Sequence, residues 1–338
     1  MTQKVWRNGC PLFSELEQFF QNNDISRRIT FLYSLNKKLM IKAAKFIIVA
    51  PPYKETSSGI KVLHFLCHLL NQVGVNSSLL LLDPLDSSNN SFISSTDKSV
   101  FHESYNTPAI TSFDEIDFTN DIVVYPDIIV GNPLNSKKVV RYMLNKNGFI
   151  TGNLITYHPE EFILSYQKIF EPNAHFNLFL SEDDLSLVPN RDSILNLNKN
   201  ISLTYVGKGG KYGDTVRIGG TISLDWKKSD EEYILLLENA KYLFTWDQMT
   251  GVLYDAIIYG CIPVIVSRNP WTFKEINEQE LFKPYLTLEQ FDNKEKSFEN
   301  YDAFLNLREK MIEDLKVLQT TAKIHVEKFV SECDKFFK

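Results

Sequence analysis

The sequence predicts an α/β protein with two parallel-sheet domains, and three observations support this. The chain has 338 residues, and one domain per roughly 150 residues is typical. Short apolar runs, typical of strands buried on both faces, alternate with helical patterns in both halves. The chain is 43% hydrophobic and 23% charged. Such a composition is that of a globular protein in which each domain can form a sizeable core.

Charge and cysteine content exclude several classes of function. The 36 basic and 42 acidic side chains give a net charge of −6, which offers no general attraction to nucleic acid. The four cysteines lie far apart without a CxxC pair, so no zinc or redox site is predicted. The N-terminus does not resemble a signal peptide, and no apolar run reaches the length of a membrane span. We therefore expect a cytoplasmic protein with reduced thiols.

The first half begins with helical periodicity over residues 12–45 and continues with a strand at 45–50. Ser57-Ser58-Gly59 opens the next helix, which Gly74 closes, and a second apolar strand follows at 79–82. This succession predicts a βαβ unit. Beyond it, residues 84–112 are rich in Ser, Asn and Asp and predict a loop with an edge strand.

A further buried strand is predicted at residues 121–126. Asn135 is a suitable cap for a helix that runs to about Lys146, because Asn147-Gly148 would end it. Short aromatic-rich strands follow over 149–185, and the composition of 187–200 predicts a linker.

The βα alternation resumes in the second half, and no repeat of fixed period is visible. The predicted elements are a strand at 201–206, a helix from Ser229 to about Ala240, a strand at 242–245, a helix from Gly251 to Tyr259, a strand at 262–266, and a long amphipathic helix at 302–336 that Thr320-Thr321 could interrupt.

The glycine-rich loop at 207–213 is the first candidate for chemistry. Glycines after a strand let backbone N–H groups approach a phosphate closely. Tyr212 occupies the position where the dinucleotide fingerprint requires its third glycine. A hairpin turn is therefore the alternative interpretation, although Lys208 could still supply a charge to a phosphate.

The second candidate is the segment over residues 245–266, which the pattern predicts as a strand end, a loop, a short helix that Gly260 ends, and a further strand. The loop brings Thr250 and Gly251 to a helix N-terminus, where free N–H groups and the helix dipole favour an anion. Asp255 lies one turn further along and could accept hydrogen bonds from ribose hydroxyls; a solvated surface role is its alternative. Asp247 either caps the helix or contacts the sugar of a donor.

Asp255-Ala256, followed by Gly260 and Pro263-Val264, resembles the donor-binding signature of GT-B glycosyltransferases, with Asp255 where those enzymes usually carry Glu. The chain is more narrowly similar to bacterial O-antigen and capsule transferases over residues 45–270. The shared motifs are Gly59-Ile60-Lys61-Val62-Leu63-His64, Tyr125-Pro126-Asp127-Ile128 with Gly131-Asn132-Pro133-Leu134, Val206-Gly207-Lys208-Gly209, and Trp246-Asp247-Gln248-Met249-Thr250.

The resemblance implies two Rossmann-like, doubly wound domains that face a central cleft. We expect an acceptor domain over residues 1–188, a donor domain over 189–312, and a C-terminal helix over 313–338 that packs back on the first domain. The implied partners are a nucleotide-sugar donor and a glycan or lipid-linked glycan acceptor, with peripheral contact to the inner membrane and no nucleic acid. The implied chemistry needs neither a metal nor a cofactor.

The resemblance also assigns roles to residues of the donor site. Lys208 would contact the phosphates beside Gly209, Thr250 and Gly251 would donate N–H groups to them, and Asp255 would hold the ribose. Asp247 completes this predicted donor set.

An inverting transferase also needs a base that removes a proton from the acceptor hydroxyl. The candidates are Glu55, His158 and Glu160, with Glu161 beside them. A retaining enzyme would need no such base. Two other functions stay open: an epimerase of sugar nucleotides with the same frame, and a non-catalytic binding module. His64 and His68 have a spacing that metals can use, but a structural pair is the favoured interpretation.

Overall fold

The computed structural model describes residues 44–83, 91–95, 97–182, 185–212, 218–225, 229–266, 271–278, 285–292 and 301–338. The predicted N-terminal helical segment lies outside these residues, apart from its last two positions. Among the described residues, no helix has both the length and the hydropathy that a bilayer span requires.

The first sheet has seven strands in the order β3-β2-β1-β4-β5-β6-β7. The strands are β1 Phe46–Ala50, β2 Ser77–Leu82, β3 Phe92–Ile93, β4 Ile122–Pro126, β5 Lys138–Met143, β6 Phe162–Ser165 and β7 Phe176–Asn177. All neighbouring strands pair in parallel except β2 and β3. The reversal of order between β1 and β4 is the doubly wound topology expected of a Rossmann-like domain. The short β3 confirms the predicted edge strand.

Helix α1 (Ser58–Gln72) connects β1 to β2 and covers one face of this sheet. Phe46 and Ile48 face a core that α1 shares with the C-terminal helix, whereas Ile47 and Val49 belong to a second apolar cluster. Every residue of β1, β2 and β4 is buried. The continuous apolar runs in the sequence therefore reflect strands covered on both faces.

The predicted helix from Asn135 to Lys146 is wrong, because this segment forms β5. Its side chains from Val139 to Met143 are buried on both faces of the sheet, between β4 and β6. Asn135 itself has a φ of 51° and occupies a left-handed turn ahead of the strand. Pairing on both sides supplies the backbone hydrogen bonds that a helix would otherwise make.

The second sheet has five parallel strands in the order β12-β11-β10-β8-β9. Read from β9, the strands follow the order 2-1-3-4-5, which is the second common order of doubly wound sheets. The strand order reverses between β8 and β10. The strands are β8 Ile201–Tyr205, β9 Ile222–Ser223, β10 Ala240–Thr245, β11 Ile262–Ile265 and β12 Leu286–Thr287. The two sheets confirm the predicted α/β, GT-B-like fold class of two Rossmann-like domains.

Five helices accompany this sheet within the described residues. They are α2 Arg191–Leu195, α3 Asp230–Asn239, α4 Gly251–Ile258, α5 Phe273–Glu278 and α6 Leu288–Asp292. Ser229 accepts a hydrogen bond from the Glu232 amide at 3.2 Å, as the capping pattern predicts. Helix α2 corrects the linker prediction, because Ile194 is buried in the domain core and Arg191 pairs with Asp302 and Glu309.

The C-terminal helix α7 (Tyr301–Phe336) runs without a break through 36 residues. Its first half places Phe304 and Leu315 in the core of the second sheet, and its second half places Val326 and Phe329 in the core of the first. The hydroxyls of Thr320 and Thr321 both donate to the Val317 carbonyl. The predicted interruption is therefore wrong, since both polar groups are satisfied inside the helix. The domain limits at 189 and 313 stay predictions.

Candidate functional site

The carboxyl ends of the two sheets face each other. The Lys208 ammonium lies 5.6 Å from the centroid of the Phe149 ring, and Lys211 Nζ donates to the Ile150 carbonyl at 3.0 Å. Phe149 and Ile150 follow β5, whereas both lysines follow β8. Ligands of doubly wound domains bind outside the carboxyl ends of the strands, at the point where strand order reverses. The candidate site therefore lies between the reversal at β1/β4 and the reversal at β8/β10.

Two helix N-termini, one from each domain, meet at this place. A Cβ on Gly251, the first residue of α4, would lie 2.8 Å from Oγ of Ser58, the first residue of α1. Neither helix has an acidic residue in its first turn. The first N–H groups of a helix lack partners within the helix, and the dipole makes that end positive. An anion between Ser58 and Gly251 would therefore interact favourably with both helices.

The glycine-rich loop forms a 3₁₀ turn at Gly207–Tyr212. Because β9 pairs with β8 in parallel, the hairpin interpretation is wrong. The Gly207 amide donates to Asp225 at 2.7 Å, that of Lys208 to Asp247 at 3.1 Å, and that of Gly209 to the Val206 carbonyl at 3.0 Å. These three N–H groups are already bonded within the protein. The loop in this conformation therefore cannot offer them to a phosphate.

Packing explains why glycines stand at 207 and 209. A Cβ on Gly209 would collide with the backbone carbonyl of Trp246. Gly207 has a φ of +49°, and its Cβ would lie 2.5 Å from the ring of Tyr205 and 2.9 Å from Oδ2 of Asp247. The two glycines let the loop lie directly against the end of β10. That close contact fixes Lys208 beside the start of α4.

The side chain of Lys208 remains accessible, with 35% of it exposed. Its Nζ lies 3.5 Å from the Met249 carbonyl and 3.9 Å from Oδ2 of Asp247. Since Met249 directly precedes Thr250, the ammonium stands next to the N-terminus of α4. Lys208, Asp247, Thr250 and Gly251 therefore lie close together in the structure.

Asp247 is buried, with 2% of the residue exposed. Burial raises its pKa, and the positive charge of Lys208 partly offsets that rise. The hydroxyl of Thr250, rather than Asp247, caps α4 by accepting from the Val252 amide at 3.4 Å. The capping alternative for Asp247 is therefore wrong. Asp247 instead holds the Lys208 loop against β10.

Asp255 is partly exposed and lies one turn into α4. The Tyr233 hydroxyl donates to its Oδ2 at 2.8 Å. Burial, together with the charge of Asp255, raises the pKa of Tyr233 above its usual value. One oxygen of Asp255 is therefore held by α3, on which Tyr233 lies. A ribose contact would use the other oxygen or compete with Tyr233.

The structure reveals Asp127 as a site residue that sequence reasoning missed. Asp127 directly follows β4 at the β1/β4 reversal and is 6% exposed. Burial raises its pKa to about 7, against the opposing effects of backbone N–H groups, including those of Leu144 and Asn145, and of the Lys208 charge. A carboxyl that titrates near neutral pH is suited to accept a proton. Its position immediately after a buried strand was the signal available in the sequence.

The predicted bases occupy three different environments. Glu55 follows β1 and accepts a hydrogen bond from the Tyr53 hydroxyl at 2.8 Å. His158 and Glu160 lie on an exposed turn ahead of β6, where Nδ1 of His158 is 3.9 Å from Oε2 of Glu160. Glu161 makes a buried salt bridge to Arg141, with Nε and Oε2 3.0 Å apart. Glu55 therefore lies beyond the carboxyl end of β1, on the side of the candidate site. His158 and Glu160 precede β6 and lie at its amino end.

The two histidines of α1 make separate contacts. His64 is buried with its Nε2 2.9 Å from the Pro51 carbonyl, while Nδ1 of His68 accepts from the Asn106 amide at 2.9 Å. Among the described residues, no three His, Cys, Asp or Glu side chains come together as a metal site would require. Each of the two histidines therefore makes a hydrogen bond to the protein backbone.

Two glycosyltransferases are among the solved structures that resemble this chain. An alpha-glucosyltransferase in complex with UDP and a 13-mer DNA containing an HMU base has a TM-score of 0.48 and 12% identity, over 86% of this chain and 100% of that one. The glycotransferase of kitacinnamycin has a TM-score of 0.40 and 8% identity, over 87% of this chain and 96% of that one. No family model and no curated protein matches the chain. At these scores and identities, neither likeness assigns a family or an activity.

Proposed function

We propose that this chain transfers a sugar from a nucleotide-sugar donor to a growing bacterial surface glycan, such as O-antigen, lipopolysaccharide or capsule. One observation supports the binding of a nucleotide-sugar donor: two helix N-termini meet at Ser58 and Gly251, and the Lys208 ammonium lies beside α4. A diphosphate is the part of a nucleotide sugar that such a site would hold. The order of the four motifs supports the surface-glycan acceptor.

The donor is held by groups from both domains. The N–H groups of Thr250 and Gly251 and the start of α1 face the diphosphate, and Lys208 adds a positive charge. As the bond between sugar and diphosphate breaks, negative charge grows on the departing nucleoside diphosphate. Fixed dipoles and an ammonium stabilise that charge without reorganisation of the site. Asp255 contacts the ribose through a carboxylate oxygen.

Asp127 is the base in this scheme, and the transfer inverts the anomeric centre. The acceptor oxygen attacks the sugar carbon, its proton passes to the carboxylate of Asp127, and the nucleoside diphosphate leaves with the electron pair of the broken bond. Asp127 must be ionised for this step, and its pKa of about 7 lets it both accept the proton and release it near neutral pH. The Lys208 charge assists by favouring the ionised form.

The acceptor is a glycan, in free or lipid-linked form, and the reaction takes place in the cytoplasm at the inner face of the membrane. The net charge of −6 disfavours a nucleic-acid acceptor. Donor and acceptor are the only small partners that this scheme requires.

Calorimetric titration of UDP, GDP and CDP into the full chain tests the donor site. We expect at least one of them to bind, and Lys208→Ala to weaken that binding by about 1.5–3 kcal/mol because a charge-assisted contact is lost. Lys310→Ala removes an exposed lysine of α7 and serves as the matched control. Equal affinity in the wild type and Lys208→Ala would show that the site is wrong.

Turnover then separates transfer from the other two functions. Nucleoside diphosphate released from a nucleotide sugar only after an acceptor is added supports a transferase. An epimerised sugar nucleotide formed without acceptor would support an epimerase instead. Binding with neither product would leave a non-catalytic module.

A further inference from the structure

A second cluster of polar side chains lies beside the donor site, on the first sheet. It consists of residues that follow β1, lie on the first two turns of α1, or belong to the segments around positions 102 and 182. We name it the Tyr53 cluster, and its members are Tyr53, Glu55, Lys61, His64, His102 and Glu182. Because Lys61 is only three residues from Ser58, the cluster adjoins the meeting point of the helix ends.

Two carboxylates share one ammonium in this cluster. Lys61 Nζ lies 3.1 Å from Oε1 of Glu182 and 3.6 Å from Oε1 of Glu55. The Glu55 side chain is 62% exposed, whereas that of Glu182 is 13% exposed. The cluster holds two carboxyl groups against one ammonium, so its acidic groups outnumber its one lysine. It would therefore repel an anion and attract a cation.

Aromatic rings surround these charges. Tyr53 packs edge to face against His64 and His102, with ring centroids 5.3 Å and 5.1 Å apart. His102 in turn stacks on Tyr105 with centroids 3.9 Å apart. The Tyr53, His102 and Tyr105 rings are partly exposed. These rings present an apolar surface next to carboxylates that accept hydrogen bonds. A sugar ring can pack its C–H face on such a surface while its hydroxyl groups donate to the carboxylates.

Two buried atoms of the cluster are acceptors without a donor. Oε2 of Glu182 and Nδ1 of His64 have no hydrogen-bond partner within the part of the chain that the structure describes. Nε2 of His64 faces the Pro51 carbonyl and therefore carries the proton, which leaves Nδ1 with a lone pair. Burial lowers the pKa of His64 to about 4, so the ring is neutral near pH 7. Buried acceptors of this kind call for hydroxyl or amine donors.

We propose that the Tyr53 cluster binds the acceptor sugar, and that it selects an uncharged or amine-bearing sugar over an acidic one. This inference rests on the proposed function and adds the acceptor class to it. Hydroxyl or ammonium groups of the acceptor donate to the carboxylates of Glu55 and Glu182, while the sugar ring lies against the aromatic surface. A carboxylate or phosphate on the same sugar would face Glu55 and Glu182 and be excluded.

Saturation-transfer NMR with glucosamine, methyl glucoside and glucuronate as probes tests this selection. We expect glucosamine and methyl glucoside to bind to the wild type about tenfold more tightly than glucuronate. Glu182→Gln removes the buried charge with little change of shape, and glucosamine should then bind about tenfold more weakly. Glu313→Gln, an exposed site on α7, is the control and should keep the wild-type order.

Lys61→Gln provides a second variant whose effect has the opposite sign. It leaves both carboxylates without their ammonium, so the preference for glucosamine over glucuronate should grow. Equal binding of the three probes to the wild type, an unchanged ratio of glucosamine to glucuronate affinity in both variants, or no saccharide binding would overturn the inference. Nucleoside-diphosphate binding is measured on the same samples. If nucleotide still binds, only the acceptor assignment fails; if it does not, the proposed function fails as well.

Discussion

The two points of strand reversal carry opposite chemistry. At β1/β4 the first sheet presents carboxylates, with Asp127 buried and Glu55 exposed. At β8/β10 the second sheet presents an ammonium, that of Lys208, and the positive end of α4. Both reversals result from the same doubly wound topology. The topology therefore fixes where each crevice lies, the first at β1/β4 and the second at β8/β10, whereas side chains decide its charge. Each crevice also contains a helix N-terminus, that of α1 in the first and that of α4 in the second.

The largest effect that separates the two crevices is expected from Asp127→Asn. Loss of the proton acceptor should lower the turnover rate about 100- to 10,000-fold. The affinity for nucleoside diphosphate should stay within about twofold, because the helix N-termini at Ser58 and Gly251 and the Lys208 ammonium are all retained. Steady-state turnover and calorimetry of the same samples measure the two effects, with Asp314→Asn on the exposed side of α7 as control. A variant that keeps its turnover would remove Asp127 from the mechanism.

The packing of the second crevice is tested by Gly209→Ala. The added Cβ would meet the backbone carbonyl of Trp246, which cannot move aside as a flexible side chain could. We expect a loss of about 3 kcal/mol in the free energy of unfolding. Gly219→Ala is the matched control, because a Cβ there would meet nothing within 4 Å. Urea denaturation of both variants checks this, and similar stabilities would contradict the tight fit of the loop against β10.

The smallest expected effect is a pH dependence of stability that arises in the first crevice. The pKa of Asp127 is raised from 3.8 to about 7 in the folded protein, so ionisation favours the unfolded state. Its contribution to stability is therefore lost as pH rises from about 4 to about 7, and the loss is complete above that range. Asp127→Asn has no such ionisation. The melting temperature of Asp127→Asn minus that of the wild type should therefore increase as pH rises over this range. An equal difference at pH 5 and pH 8 would contradict the assignment.

Much of the fold could be predicted from the sequence because buried parallel strands are apolar on both faces. Residues 46–50 and 262–265 were predicted almost to their ends for this reason. Strand β5 could not be predicted, since its lysine and arginine residues interrupt the apolar run. Arg141 is buried only because Glu161 and the carbonyls of Ile129 and Gly131 surround it, and that environment exists only in the folded chain.

The candidate site, like the fold, could be predicted only in part from the sequence. The start of α4 at Gly251 was predicted, whereas its cap was sought at Asp247 and is Thr250 in the structure. The bonded state of the Gly207–Gly209 amides could not be predicted, since Asp225 and Asp247 reach them from other parts of the chain. The exposure of His158 and Glu160 likewise depends on tertiary packing. Asp127 was within reach of the sequence, because it stands directly after an apolar strand.

In the proposed donor site the two helix ends, and not the amides of the glycine-rich loop, hold the diphosphate. Titration of inorganic diphosphate into the ¹⁵N-labelled chain, followed through the backbone amide resonances, tests this arrangement most directly. We expect the resonances of Ser58, Gly59, Thr250 and Gly251 to move together with one saturation curve, and those of Gly207 and Gly209 to move less. Shifts confined to Gly207–Gly209, or no saturable shift at Ser58 and Gly251, would contradict it.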